Sequence, residues 1–371
     1  MRLHPTLALC AVAWSSTQVW ARDDPSRDQV QILTEKAQEY MAAKDYGAAY
    51  DSFQEALNVD PDNYMTYFYR AAAYLRERRT TAALVDLDQA LKRKQDFEPA
   101  LRQRAKLLNK RGAFKAARDD WETLEAMGGQ VQETAQQGLD KVNQAERAYQ
   151  QAQQARDDQK YAECVQFATA ALKTASEMVN LYQLRGDCQR SARDIHQAVA
   201  DYGRAIRLDP TQLDIQLQVA QLRFYVLNQQ DEALAAVKEC LRSDPEHKPC
   251  SKAFKRFKKI KKAVKEIETD ASKKKFNTAA KKLTAFHQPA KTSDDGAPPQ
   301  GLIQEVEEET VTLYRDWDLG DPQLGSAGTT NEATETLVVP ELVADLYHKS
   351  CQYFAGFKKH QYGIEWCDKA L

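Results

Sequence analysis

Residues 37–61 read AQEYMAAKDYGAAYDSFQEALNVDP, and residues 71–95, which begin 34 positions later, read AAAYLRERRTTAALVDLDQALKRKQ. The positions that match across this spacing are small or apolar. They are Ala37, Tyr40, Ala49, Phe53 and Ala56 in the first stretch and Ala71, Tyr74, Ala83, Leu87 and Ala90 in the second. After a further 34 residues, the series continues with Ala105, Leu108, Ala117, Trp121 and Leu124. Small residues let antiparallel helices approach closely and larger ones fill the gaps, so the spacing predicts repeated helix pairs.

This pattern resembles the tetratricopeptide repeat (TPR), in which small residues occupy repeat positions 8, 20 and 27 and aromatic residues occupy positions 11 and 24. The sequence therefore predicts an all-α fold, a right-handed superhelical TPR solenoid of about eight helix-turn-helix repeats. The sixth repeat carries one extra residue between its helices, and a long basic helix over about 249–271 is expected to bridge the last two groups of repeats. The expected groups are 22–128, 129–257 and 258–371, the last with a loop and an acidic, largely disordered insertion at 287–335.

The composition excludes several other classes of protein. Lys and Arg total 52 against 54 Asp and Glu, so the net charge of -2 gives the whole molecule no electrostatic attraction for nucleic acid. With 14 Gly and 12 Pro in 371 residues, the chain is neither collagen-like nor a turn-rich β protein. No apolar run reaches the roughly 18 residues of a membrane span.

The N-terminus has the order of a secretory signal. Arg2 and His4 precede an apolar run over residues 7–14, and small residues lead to Val19-Trp20-Ala21. We interpret residues 1–21 as a signal peptide, with a frayed N-terminal helix as the alternative. A signal would place the chain in the secretory pathway, where the six cysteines after Cys10 can pair.

Three segments carry a more specific resemblance: DPDNY at residues 60–64, AALVDL at 82–87 and ECLRSDPEHKPC at 239–250. Together they resemble the luminal TPR/J-domain co-chaperones of the endoplasmic reticulum, also described as inhibitors of the interferon-induced protein kinase. The resemblance implies a location in the endoplasmic-reticulum lumen, unfolded client proteins held on the concave TPR surface, and a J-domain that stimulates the luminal heat-shock ATPase chaperone. No His-Pro-Asp triplet occurs, and the sequence ends within the second helix of repeat eight, so we expect a fragment or a truncated gene product.

The cysteines suggest two disulfides. Cys240 and Cys250 lie on either side of a helix-turn-helix corner, Cys351 and Cys367 occupy facing positions of one repeat, and both pairs match cystine positions of the resembled family. Free buried thiols are the alternative for each pair. His348 and His360 with Cys351 and Cys367 also suit zinc, but an oxidising compartment favours the cystine, so no metal or cofactor is predicted. Cys164 and Cys188 are interpreted as small packing residues and left unpaired.

Between Lys252 and Lys265, eight of fourteen residues are Lys or Arg. Nucleic-acid binding is conceivable, but apolar residues recur at helical spacing, which favours an amphipathic helix with a solvated basic face. This face could attract the acidic residues at 305–309. The sequence contains no zinc-protease motif, phosphate loop or nucleophile elbow, so no enzyme activity is predicted.

The candidate client-binding residues are Met41, Met65, Phe68, Tyr69 and Leu75. They occupy repeat positions 2, 5, 6 and 12, which project into the groove, where an apolar side chain is not needed for packing. Ordinary scatter of exposed apolar residues is the alternative. The leading hypothesis is a client-binding co-chaperone, and the alternative is a TPR scaffold or inhibitor that binds one folded partner, such as a protein kinase.

Overall fold

The computed structural model describes residues 25–284, 301–316, 340–356 and Cys367. Within these ranges the chain is helical and contains no β-strand, which confirms the all-α TPR prediction. The signal peptide at 1–21, the loop at 287–300 and the rest of the predicted insertion at 317–335 lie outside the described residues. In repeat eight, residues 357–366 and 368–371 also lie outside the described residues.

The chain divides into two compact units, the first ending at Leu107 and the second beginning at Leu108. The described part of unit 1, from residue 25 onwards, contains four helices and most of a fifth. They are α1 (Pro25–Ala42), α2 (Tyr46–Val59), α3 (Tyr64–Arg76), α4 (Thr80–Arg93) and α5 (Glu98–Arg111). Helix α1 packs on α2 and α3 packs on α4, as two helix-turn-helix repeats require.

Unit 2 continues the same alternation. Its first helices are α6 (Phe114–Met127), α7 (Val131–Asp157), α8 (Tyr161–Leu172), α9 (Val179–Ser191), α10 (Ile195–Leu208) and α11 (Leu213–Gln221). Among the described residues, the helices that follow are α12 (Gln230–Ser243), α13 (Lys248–Ser272), α14 (Phe276–Thr284), α15 (Leu302–Asp316) and α16 (Glu341–Gly356). Helix α13 is the long basic helix that the sequence predicts near 249–271.

The turns between paired helices share one conformation. A residue with positive φ follows the first helix at Lys44, Arg78 and Gly112, spaced by 34, and again at Gln159 and Arg193. At Arg193 the turn closes with hydrogen bonds from its N–H to the Arg190 carbonyl and from the Asp194 N–H to the Gln189 carbonyl. This is the Schellman pattern that ends helices, and it repeats with the sequence period.

Small residues at repeat position 8 act as the spacing predicts. A Cβ added to Gly186 would lie 2.8 Å from the ring of Tyr202, which is fully buried on the paired helix. Ala37, Ala71 and Ala105 at the same position are also buried. Close helix approach in each repeat therefore depends on these positions.

The extra residue of repeat six lies inside its first helix. Leu222–Val226 forms a π turn that continues α11, and the positive-φ residue that follows is Asn228, 35 residues after Arg193 instead of 34. The turn brings Phe224 and Tyr225 into the core, where Phe224 stacks on Phe257 of α13 with ring centroids 4.1 Å apart. The π turn thus accommodates one added residue without lengthening the loop.

The prediction of disorder is wrong for residues 305–316, because this part of the insertion belongs to α15. Ile303, Val306, Thr310 and Leu313 are buried in the core of unit 2. They recur at intervals of three and four residues, so they form one helical face despite the acidic residues between them.

Candidate functional site

A cavity of about 570 Å³ lies in unit 1 between the amino-terminal parts of α1 and α3. Its apolar lining comes from Val30, Met65 and Tyr69, and its polar lining includes Glu35 and Asn63. The Asn63 side chain also accepts a hydrogen bond from the Thr66 N–H and so caps α3. Most of the lining residues are polar, so the cavity is a polar groove with a smaller apolar part formed by Val30, Met65 and Tyr69, a form that accommodates a chain segment.

The five predicted client-binding residues are all half-buried, but they do not form one patch. Met65 and Tyr69 line the cavity. Tyr69 and Met41 also pack against a buried cluster that includes Phe53, so part of their surface serves the fold. Met41 and Leu75 lie in the last turns of α1 and α3, away from the cavity.

Phe68 belongs to an aromatic cluster that the sequence analysis did not identify. Its ring contacts Phe97 edge-on with centroids 5.2 Å apart, and Phe97 contacts Tyr64 in the same way at 4.9 Å. The Lys94 ammonium lies 5.0 Å from the Tyr64 ring centroid. Phe97 directly precedes α5 and lies outside the helical positions that define the repeat, so only its aromatic character could have identified it.

Three disulfides lie in unit 2. The structure joins Cys240 to Cys250 and Cys351 to Cys367, the two pairs that the sequence predicts. It also joins Cys164 of α8 to Cys188 of α9, with Cα atoms 6.2 Å apart, so the interpretation of these two as unpaired packing residues is wrong. The two cysteines belong to successive repeats, and periodicity within a repeat does not show that they meet.

His247 approaches one of these disulfides. Its Nδ1 lies 3.6 Å from the Cys240 Sγ, so Cys240, His247 and Cys250 have the residue types of a metal site. Both sulfur atoms are committed to the disulfide, so the group offers no thiolate ligand in this state. Of the four residues considered for zinc, Cys351 and Cys367 are bonded to each other, and His360 lies outside the described residues.

The basic face of α13 contacts the acidic face of α15. Lys259 Nζ donates to Glu305 Oε1 at 2.9 Å and to Oε2 at 3.1 Å, and Arg256 pairs with Glu309. The attraction expected between these segments is therefore present.

Among the described helices, none is long and apolar enough to cross a membrane.

Comparison with known proteins agrees with this fold. A family model described as tetratricopeptide repeat matches residues 30–63 and 179–212. The crystal structure of the P58(IPK) TPR domain superimposes with a TM-score of 0.69 and 23% sequence identity, covering 92% of this chain and 83% of that one. The chain therefore has the tetratricopeptide-repeat fold.

Its curated relatives include a TPR and J domain co-chaperone and a DnaJ homolog. The chain is 28% identical to the tetratricopeptide repeat and J domain-containing co-chaperone DNJ1 of Fusarium oxysporum f. sp. lycopersici, over 98% of this chain and 64% of that protein. It is also 28% identical to DnaJ homolog subfamily C member 3 of Gallus gallus, over 68% of this chain and 50% of the relative. The chain thus spans between half and two thirds of the length of these relatives.

Proposed function

We propose that the chain is a co-chaperone that binds unfolded or misfolded client proteins through the groove of unit 1. The observation that carries the proposal is the exposed part of Met65, Phe68 and Tyr69 along α3, beside a 570 Å³ cavity, in a chain whose relatives are co-chaperones. These side chains present apolar surface to solvent, and a client's apolar segment can cover it. Capture is reversible because no covalent chemistry is involved.

The test uses suppression of aggregation by the full chain with several unrelated denatured proteins. The groove variant combines Met65→Ser, in the cavity lining, with Phe68→Ser, which lies on α3 beside the cavity but outside its lining. Each substitution removes about 1.5 to 3 kcal/mol of apolar burial against a client, so suppression should be lost. The control variant combines Ile32→Ser with Val85→Ser, whose side chains are 63% and 55% exposed in unit 1 outside the groove. It should suppress aggregation like the parent chain.

Equal suppression by the parent chain and a folded groove variant would place the site elsewhere. Saturable binding of one folded protein, such as a protein kinase, with no effect on denatured proteins would support the scaffold or inhibitor alternative. Circular dichroism and the melting temperature check the fold of each variant, because Phe68 contacts Phe97.

We further propose that the chain acts in the lumen of the endoplasmic reticulum and delivers its clients to the luminal heat-shock ATPase chaperone through a J-domain of the full protein. The signal-like order of residues 1–21, the three disulfides and the J domain in the relatives' names support this. Residues 1–30 fused to a reporter should direct it into the lumen, where it resists added protease. A reporter that protease degrades in intact vesicles would contradict the location.

A further inference from the structure

A second groove lies in unit 2 between α11, α13 and α15, with a volume of about 670 Å³. Lys252, Lys255, Arg256 and Lys259 of α13 line it, and we call it the cationic groove. Its lining carboxylates are Glu305 and Glu309 of α15. Four cations face two anions, so the lining has an excess of positive charge although the whole chain is slightly acidic.

The two carboxylates show which chemical group this groove accepts. Glu305 pairs with Lys259 and Glu309 pairs with Arg256, so carboxylates spaced by four residues match cations spaced by three. Lys252 and Lys255 are exposed and have no ion pair with any residue that the structure describes. Half of the cationic lining is therefore available to further carboxylates.

Beneath these cations, two buried polar atoms have unused hydrogen-bonding capacity. Tyr225 is 1% exposed and lines the groove, and its hydroxyl has no hydrogen-bond partner among the described residues. The Nε atom of Arg256 also has no hydrogen-bond partner among the described residues. Burial raises the pKa of Tyr225, so its hydroxyl stays protonated and can donate. Unpaired buried donors are uncommon in folded proteins, and an acceptor reaches these two once the side chains that cover them move aside.

The remaining lining indicates the kind of molecule that carries the carboxylates. Leu217, Pro249 and Ala253 provide apolar surface for aliphatic side chains. The rings of Tyr225 and Phe257 are 1% exposed, so they offer no free face on which a nucleic-acid base could stack. We propose that the cationic groove binds an acidic peptide segment of a partner protein, at a site separate from the client groove of unit 1.

The test measures fluorescence anisotropy of a labelled short peptide rich in Glu and Leu, added to the full chain. Binding should saturate, and the same peptide with Gln in place of Glu should bind at least about tenfold more weakly. Lys252→Glu combined with Lys255→Glu should weaken binding of the Glu peptide about tenfold. Tyr225→Phe leaves the charge unchanged and should weaken it about fivefold.

The matched control is Lys258→Glu combined with Lys262→Glu, which changes the charge of α13 equally but lies outside the groove. It should retain the parent affinity within about twofold. Equal losses in the two double variants, or no saturable binding by the parent chain, would overturn the proposal. Tighter binding of a labelled oligothymidine, lost in the Lys252/Lys255 variant, would assign the groove to nucleic acid and also overturn it.

Discussion

The guanidinium of Arg185 donates two hydrogen bonds to the carboxylate of Asp201, from Nε to Oδ2 at 2.6 Å and from Nη2 to Oδ1 at 2.8 Å. Arg70 and Asp86 repeat this geometry at 2.7 and 2.8 Å. Both pairs span 16 residues and join the first helix of a repeat to its second. The hydrogen bond to Asp86 raises the pKa of Arg70. These bidentate pairs fix the two helices of a repeat against each other.

Asp201→Asn should lower the free energy of unfolding by about 2 to 4 kcal/mol, because it leaves the Arg185 guanidinium without its buried counter-charge. Denaturant titration of the full chain measures the change. The control is Asp88→Asn, whose carboxylate is 59% exposed and pairs with Arg104. That variant should lose less than about 1 kcal/mol. Equal losses would show that burial of the pair is not the source of its effect.

The Cys164–Cys188 disulfide should contribute about 3 kcal/mol to stability on the loop-closure estimate. Cys164→Ala combined with Cys188→Ala should therefore lower the stability of the oxidised protein by about this amount. Peptide mapping without reductant should recover the two cysteines in one linked fragment. Recovery of both as free thiols from oxidised protein would contradict the pairing.

Gln159→Gly should raise stability by about 0.5 to 1 kcal/mol. Gln159 is exposed and has a φ of 61°, where a Cβ is unfavourable, and glycine adopts this conformation more readily. The opposite change at the equivalent turn, Gly112→Ala, should destabilise. It adds a Cβ at a φ of 75°, 2.4 Å from the sulfur of Met178. Melting curves of the two variants should shift in opposite directions.

Tyr202→Phe should make the free energy of unfolding fall less steeply as the pH rises into the alkaline range. Burial, the charge of Asp187 and the 2.6 Å hydrogen bond to its carboxylate raise the pKa of Tyr202 above the ordinary 10.0. The folded chain thus keeps a proton that the unfolded chain releases above pH 10.0, and stability falls as the pH rises further. Unfolding followed from pH 9 upwards should show a slope that is shallower in Tyr202→Phe by up to about 1.4 kcal/mol per pH unit. Parallel curves would contradict the assignment.

The repeat fold could be predicted because small residues such as Ala71 and Gly186 recur at a fixed spacing that only paired helices explain. The Cys164–Cys188 disulfide could not be predicted, because the stacking of neighbouring repeats decides which of their thiols meet. Helix α15 was missed for a different reason. Its acidic composition suggested disorder, although Ile303, Val306, Thr310 and Leu313 already form an apolar face in the sequence.

The candidate sites were predictable to different degrees. Repeat position alone led to Met65 and Tyr69, which line the groove of unit 1. The contact between the basic face of α13 and residues 305–309 could be predicted from the sequence, but the place of Tyr225 in the cationic groove could not, because Tyr225 lies inside the π turn. Repeat spacing showed that one residue was added to repeat six, but the prediction that it lies between the helices was wrong, because the π turn accommodates it inside the first helix.

At the level of the gene, the π turn at Leu222–Val226 marks a position where one codon can be added while the packing of the repeats is preserved. An added residue in a regular α-helix rotates every later side chain by about 100° and would turn the packing face of that helix away from its neighbours. Here the turn widens instead, and three residues still separate α12 from the end of the first helix of its repeat, as three separate α10 from α9. Insertions and deletions of single codons in related genes should therefore concentrate at this turn, while the spacing of 34 between the preceding turn residues Gln159 and Arg193 stays unchanged.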